Sequence, residues 1–105
     1  MARTRDVSNV LKQPFTVTLG TSNYRAGVNA GNSIESGGNY NVVIGDEAGT
    51  ALTTGDDNVY IGYAAADSAT TGSGNIAIGE NALGALTAGS NNTAIGRDAM
   101  SLHNV

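Results

Sequence analysis

The pentapeptide Asn41-Val42-Val43-Ile44-Gly45 has three further versions in the chain, and their spacing constrains the fold more than any other feature. They are Asn58-Val59-Tyr60-Ile61-Gly62, Asn75-Ile76-Ala77-Ile78-Gly79 and Asn92-Thr93-Ala94-Ile95-Gly96, a step of 17 residues each time. A period this short, held over most of a 105-residue chain, marks a solenoid. One unit is too small to bury a core of its own, so neighbouring units must stack.

The match extends past the pentapeptide. Ala48, Ala65, Ala82 and Ala99 follow each glycine, and Leu52, Ala69 and Leu86 come next, until His103 breaks that column. Thr53-Thr54-Gly55, Thr70-Thr71-Gly72 and Thr87-Ala88-Gly89 close the units. A degenerate copy lies upstream: Gly27, Ala30, Gly31, Ile34 and Gly37 align with Gly45, Ala48, Gly49, Leu52 and Gly55 at a step of 18. The extra residue is expected around Gly38-Asn39-Tyr40. The last unit stops at Val105, before its closing turn, and shows no polar cap.

Val42 and Ile44 alternate with Asn41, Val43 and Gly45, which is the period of a strand. The glycines Gly45, Gly62, Gly79 and Gly96 bend the chain, and a second short segment around Ala48 to Leu52 returns it. Thr-Thr-Gly with two polar residues is turn chemistry. The expected fold is therefore all-β: a parallel β-roll or β-solenoid of about five 17-residue coils over residues 22–105, the last incomplete. Strands of four or five residues would stack about 4.8 Å apart. In this reading Ile44, Ile61, Ile78 and Ile95 form an interior ladder. Asn41, Asn58, Asn75 and Asn92 form a polar ladder of amides bonded coil to coil.

The intervening strand positions, Val43, Tyr60, Ala77 and Ala94, would then face outward. All four are apolar or amphipathic. A strand apolar on both faces is buried on both, so these four read as a subunit interface. Alanine at two of them permits close approach, and a three-fold arrangement is favoured over a two-fold one.

Composition agrees with tight coils. Charged residues are 13%, about half the usual share, and there are 15 glycines, about twice the usual share. Only Phe15, Tyr24, Tyr40, Tyr60 and Tyr63 are aromatic, too few for a large conventional core. No cysteine is present, which excludes disulfides, thiolate metal sites and cysteine nucleophiles. The net charge of −4 is uneven: residues 1–20 carry +2 and the remainder −6. An acidic repeat region lacks the basic footprint that nucleic acid requires. No apolar run reaches signal-peptide or membrane length, so membrane insertion is not expected. The expected site of synthesis is the cytoplasm, with no exit by the general secretory route.

Residues 1–21 differ from the repeats. Val7, Val10 and Leu11 have one-turn helical spacing, which Pro14 ends. Phe15-Thr16-Val17-Thr18-Leu19 alternates as a strand with Phe15, Val17 and Leu19 on one face. With Arg3 and Arg5 ahead of it, this segment reads either as a solvated terminus or as an attachment arm for an acidic partner.

The Asn-x-x-Ile-Gly-x-x-Ala pattern with Thr-Thr-Gly turns resembles repeats of bacteriophage tail fibres over residues 23–105. It is also similar to the head domain of trimeric autotransporter adhesins, where a related motif recurs at a shorter step. The resemblance implies a homotrimer of left-handed parallel β-rolls with the trimer axis along the stack. An adhesin of that type carries a secretion signal and a membrane anchor, and the 17-residue step differs from the adhesin head. The tail-fibre likeness therefore implies a virion protein, made in the host cytoplasm. Its N-terminal arm would dock on a tail or baseplate protein, and its shaft would lead to a host-binding tip. A host surface glycan is a candidate ligand of the shaft.

Motifs for chemistry are weak. Ile44-Gly45-Asp46-Glu47-Ala48-Gly49 matches one hexapeptide of left-handed β-helix acyltransferases, but Thr50 and Asp56 stand where the next hexapeptides need aliphatic residues. Gly55-Asp56-Asp57-Asn58 is similar to one calcium-roll turn, yet Ser73-Gly74 and Ser90-Asn91 replace the aspartates in later coils. The threonine pairs are too irregular for an ice-binding array. His103 is the only histidine, no base is spaced against a serine nucleophile, and adjacent Asp46 and Glu47 make a poor acid–base pair. The expectation is a structural protein without catalytic residues, cofactor or metal.

Overall fold

The computed structural model of the chain describes residues 20–101. The expected arm residues Arg3, Arg5, Phe15, Val17 and Leu19, and His103, lie outside the described residues. Five strands follow: β1 (Tyr24–Ala26), β2 (Val42–Ile44), β3 (Val59–Ile61), β4 (Ile76–Ile78) and β5 (Thr93–Ile95). They form one parallel sheet in chain order. Val42 pairs with Val59, Val59 with Ile76 and Ile76 with Thr93, so the 17-residue period is the register of the sheet. The fold is an all-β solenoid whose coils each add one strand. The strands have three residues, shorter than the four or five expected, because the corner glycine ends each one.

The segment around Ala48 to Leu52 returns the chain as expected, but among the described residues no strand does so. Two successive turns do so. Ala48 N–H donates to Gly45 O at 3.1 Å and Leu52 N–H to Gly49 O at 3.1 Å, and the pattern repeats in the other coils. The corners use left-handed backbone in register. Gly27, Gly45, Gly62, Gly79 and Gly96 have φ between 124 and 128°. Three further columns are left-handed whatever residue occupies them, and twelve non-glycine residues among those described have positive φ. In each column the N–H reaches a neighbouring coil: Glu47 to Val28 O, Asp57 to Asn39 O, Leu83 to Ala99 O. A left-handed conformation costs an alanine or leucine about 1–2 kcal/mol, and here it delivers a backbone hydrogen bond along the stack.

The first coil holds the extra residue, but not where expected. Asn23 Nδ2 donates to Gly38 O just as Asn41 Nδ2 donates to Gly55 O, so Gly38, not Gly37, is the counterpart of Gly55. Glu35 N–H reaches Thr53 O at a step of 18. The insertion therefore falls at Ser36-Gly37, where Gly37 has φ 103°.

The faces of the strands are opposite to expectation. Val43, Tyr60 and Ala77 are 0% exposed and Ala94 3%, so these four line the interior and are not a subunit interface. Ile44, Ile61 and Ile78 are partly exposed and Ile95 is 66% exposed, so the isoleucines face outward. The asparagines decide the matter. The amides of Asn23, Asn41, Asn58 and Asn75 reach inward across the coil to a glycine carbonyl, as Asn58 Nδ2 does to Gly72 O at 3.0 Å. With Asn58 inside, alternation puts Val59 and Ile61 outside and Tyr60 inside.

The interior is narrow, and each coil fills it differently. Val43 shares its coil with Gly49 and Leu52, Tyr60 with Ala66 and Ala69, and Ala77 with Leu83 and Leu86; apart from Gly49 all are core residues. A large side chain on the strand is matched by small ones on the turns. A methyl group at Gly49 would stand 3.0 Å from Tyr60 Cδ2 and 3.1 Å from Val43 Cγ1. Such matching is what close packing demands.

Candidate functional site

Two side-chain ladders run along the stack in opposite directions. In the first, the N–H groups of Asn41, Asn58, Asn75 and Asn92 donate to Oδ1 of the asparagine one coil earlier, at 2.8–2.9 Å. Asn41, Asn58 and Asn75 are wholly buried, so each amide satisfies groups that would otherwise lack a partner. In the second, the side chain belongs to the later coil. Asn39 N–H donates to Asp56 Oδ1 at 2.8 Å, Asp56 N–H to Ser73 Oγ at 2.9 Å and Ser73 N–H to Ser90 Oγ at 2.9 Å. Sequence reading missed this ladder because Asn, Asp and Ser share no spelling. Their common signal is a short side-chain oxygen two residues before each interior asparagine.

The acidic corner residues are likewise engaged with the stack. Asp46 Oδ1 accepts from Val28 N–H at 2.9 Å and Glu47 Oε2 from Asn29 Nδ2 at 2.9 Å. Arg97 Nε lies 3.3 Å from Glu80 Oε1, both well exposed; exposed pairs of this kind contribute little to stability. Asp67 is raised above the usual carboxylate range, chiefly by partial burial. Among the described residues no three His, Asp or Glu side chains gather to hold a metal ion.

The surface that stands out is the outer face of the sheet. Val42, Val59 and Ile76 form one column, and Ile44, Ile61, Ile78 and Ile95 a second beside it. All are at least partly exposed. Apart from Tyr60, the interior column of Val43, Ala77 and Ala94 is no bulkier than these side chains. Comparison with family models, with curated proteins and with solved structures finds no match.

Proposed function

We propose that this chain is a structural fibre segment: a shaft of three parallel solenoids joined through the outer faces of their sheets. The observation that carries this reading is the pair of apolar columns on that face. A parallel sheet apolar on both sides is normally covered on both, and a contiguous apolar strip on a surface marks an interaction site. Three identical copies arranged around an axis parallel to the stack would cover all three strips at once. The likeness to phage tail-fibre repeats supports a virion role and left-handed coils. The segment before Gly20 would attach the shaft to a tail or baseplate protein, and the far end would lead to a host-binding tip. The function is mechanical: backbone bonds along the axis resist stretching, and the shared apolar seam resists bending.

The test is the mass of the full chain by light scattering, before and after heating in detergent. The expected result is three times the chain mass in native buffer. The double variant Ile61→Asp and Ile78→Asp should yield a folded single chain, because both side chains point away from the coil interior. A single-chain mass for the unaltered protein would refute the shared seam.

A further inference from the structure

The interior column has a fifth member unlike the others. Arg25 pairs with Val43, so it stands in register with Val43, Tyr60, Ala77 and Ala94. Those four are uncharged and at most 3% exposed, whereas Arg25 brings a cation to the same position and is only partly buried. Among the described residues no carboxylate forms an ion pair with it, and its Nε is buried without a partner. A buried donor left unpaired costs stability, so packing within the coil does not account for an arginine here.

The guanidinium does what a preceding coil does elsewhere. Ala48 O, Ala65 O, Ala82 O and Ala99 O each accept the N–H of a residue one coil earlier, from Gly31, Gly49, Ala66 and Leu83, at 2.8–3.0 Å. Ala30 O is the first member of that column. It accepts instead from Arg25 Nη1 of its own coil, at 3.0 Å. The stem of the arginine supplies part of the cover of this coil. A Cβ on Gly31 would stand 3.6 Å from Arg25 Cδ, and Ala30, Gly31 and Ile34 are all buried. The repeat pattern itself stops here, well within the chain. One step before Asn23 stand Arg5 and Asp6, and one step before Gly27 stand Asn9 and Val10, neither asparagine in the first column nor glycine in the second.

We propose that Arg25 is a strap that closes the first coil and bars a further coil of the same kind, such as that of a second copy of this chain, from stacking on it. A coil seated there would bring its own N–H to Ala30 O, so the arginine's bond would have to break. The guanidinium would then be sealed in an apolar interior with no carboxylate beside it, which is strongly unfavourable. An inward-pointing charge is one of the ways in which proteins blunt the edge of a sheet. A solenoid has particular need of it. Its coils are interchangeable, so a head-to-tail contact between copies does not close on itself and grows into a filament. The strap concerns the interior column alone and does not rest on the three-fold seam of the outer face.

The test places such a coil where it would have to stack. A copy of residues 55–71 is inserted in the full chain between Leu19 and Gly20, so that the inserted Thr71 runs on into Gly20 as it otherwise does into Gly72. The amide of the inserted Ala66 is then the donor for Ala30 O, and its hydrogen exchange reports whether the coil has docked. With Arg25 in place it should exchange as in an unfolded segment. Arg25→Val, which puts the residue of the next coil in the column, should slow it by about a hundredfold. In the chain without the insertion the same substitution should act the other way. Loss of the strap should speed exchange at Gly31, whose N–H is bonded to Ala48 O, by about tenfold, with Val59 and Ile76 unchanged. An ordinary interior residue would affect both chains in the same direction, so the reversal is the signature of a strap. Protection of the inserted Ala66 with Arg25 present, no protection with Arg25→Val, or unchanged exchange at Gly31 would each overturn it. The mass of each chain reports separately on the seam, so failure of one proposal is distinguishable from failure of the other.

Discussion

Each coil has a strand wall and a turn wall, and the two repeat in different ways. On the strand wall the residues themselves recur: asparagine, a mostly apolar triplet, glycine. On the turn wall the backbone recurs while the residues drift. One left-handed column reads Asn29, Glu47, Ala64, Asn81, Asp98, and another reads Gly31, Gly49, Ala66, Leu83, Met100, all with φ between 48 and 63°. The difference follows from which group makes the bond to the next coil. Where a buried side chain must both accept and donate, as in the asparagine ladder, its identity is fixed. Where only a short side-chain oxygen is needed, as in the second ladder, Asp and Ser interchange. Where the main chain makes the bond, any residue that tolerates the angle will serve, at a cost of about 1–2 kcal/mol for those that prefer another.

Substitutions on the two walls should therefore differ in severity for stated reasons. Gly62→Ala meets both constraints, since φ is 128° and the new Cβ would lie 2.8 Å from Gly79 backbone. The expected loss is about 4 kcal/mol, enough to open the corner. Asn58→Ala keeps the backbone but strips the N–H of Asn75 and the carbonyl of Gly72 of their buried partners. About 3 kcal/mol should be lost. Urea unfolding monitored by circular dichroism measures both, and an Asn58→Ala variant as stable as the parent would remove the ladder from the account.

That contrast also explains what was legible beforehand. The period, the parallel register and the asparagine ladder could be read because they are written in residue identities. The left-handed columns could not, since Leu83 and Met100 carry no mark of positive φ. The facing of the strands was misread for a physical reason. Alternation gives two faces but not which is inside, and the bulkier Ile44 column was taken for the core. The asparagine held the answer: a buried amide needs a partner, and Gly55 O across the coil is that partner. Reading the polar residue first would have placed Val43 inside and the apolar seam on the isoleucines.

The two walls also meet inside the coil, where their volumes are matched. Tyr60→Val should cost about 3 kcal/mol through the cavity it leaves. Ala69→Leu alone should cost about 2 kcal/mol by overpacking against the ring. Together they rebuild the combination seen with Val43 and Leu52, and the double variant should be about 2 kcal/mol more stable than the sum of the two losses predicts. Simple additivity in a double-mutant cycle would mean the walls pack independently.

Tyr60 offers the smallest and most specific probe of that contact. Its hydroxyl is buried without a complete hydrogen bond among the described residues. Burial pushes its pKa up from 10.0 to about 12, with the nearby Asn75 side chain opposing the shift. The folded chain thus holds this proton where the unfolded chain has begun to release it. Below pH 10 the group leaves stability unaffected by pH. Between 10 and about 12 stability should fall as pH rises, with a limiting slope of about 1.4 kcal/mol per pH unit. Tyr60→Phe retains the ring and removes the hydroxyl. At neutral pH it should be as stable as the parent or gain up to about 1 kcal/mol, because a buried polar atom without a partner is gone. In alkali its unfolding free energy should decline less steeply than that of the parent. Tyr24, Tyr40 and Tyr63 are exposed and common to both proteins, so the difference between the two curves isolates the one ring inside the coil. Superimposable curves would mean that water reaches Tyr60, and the interior would be looser than its packing implies.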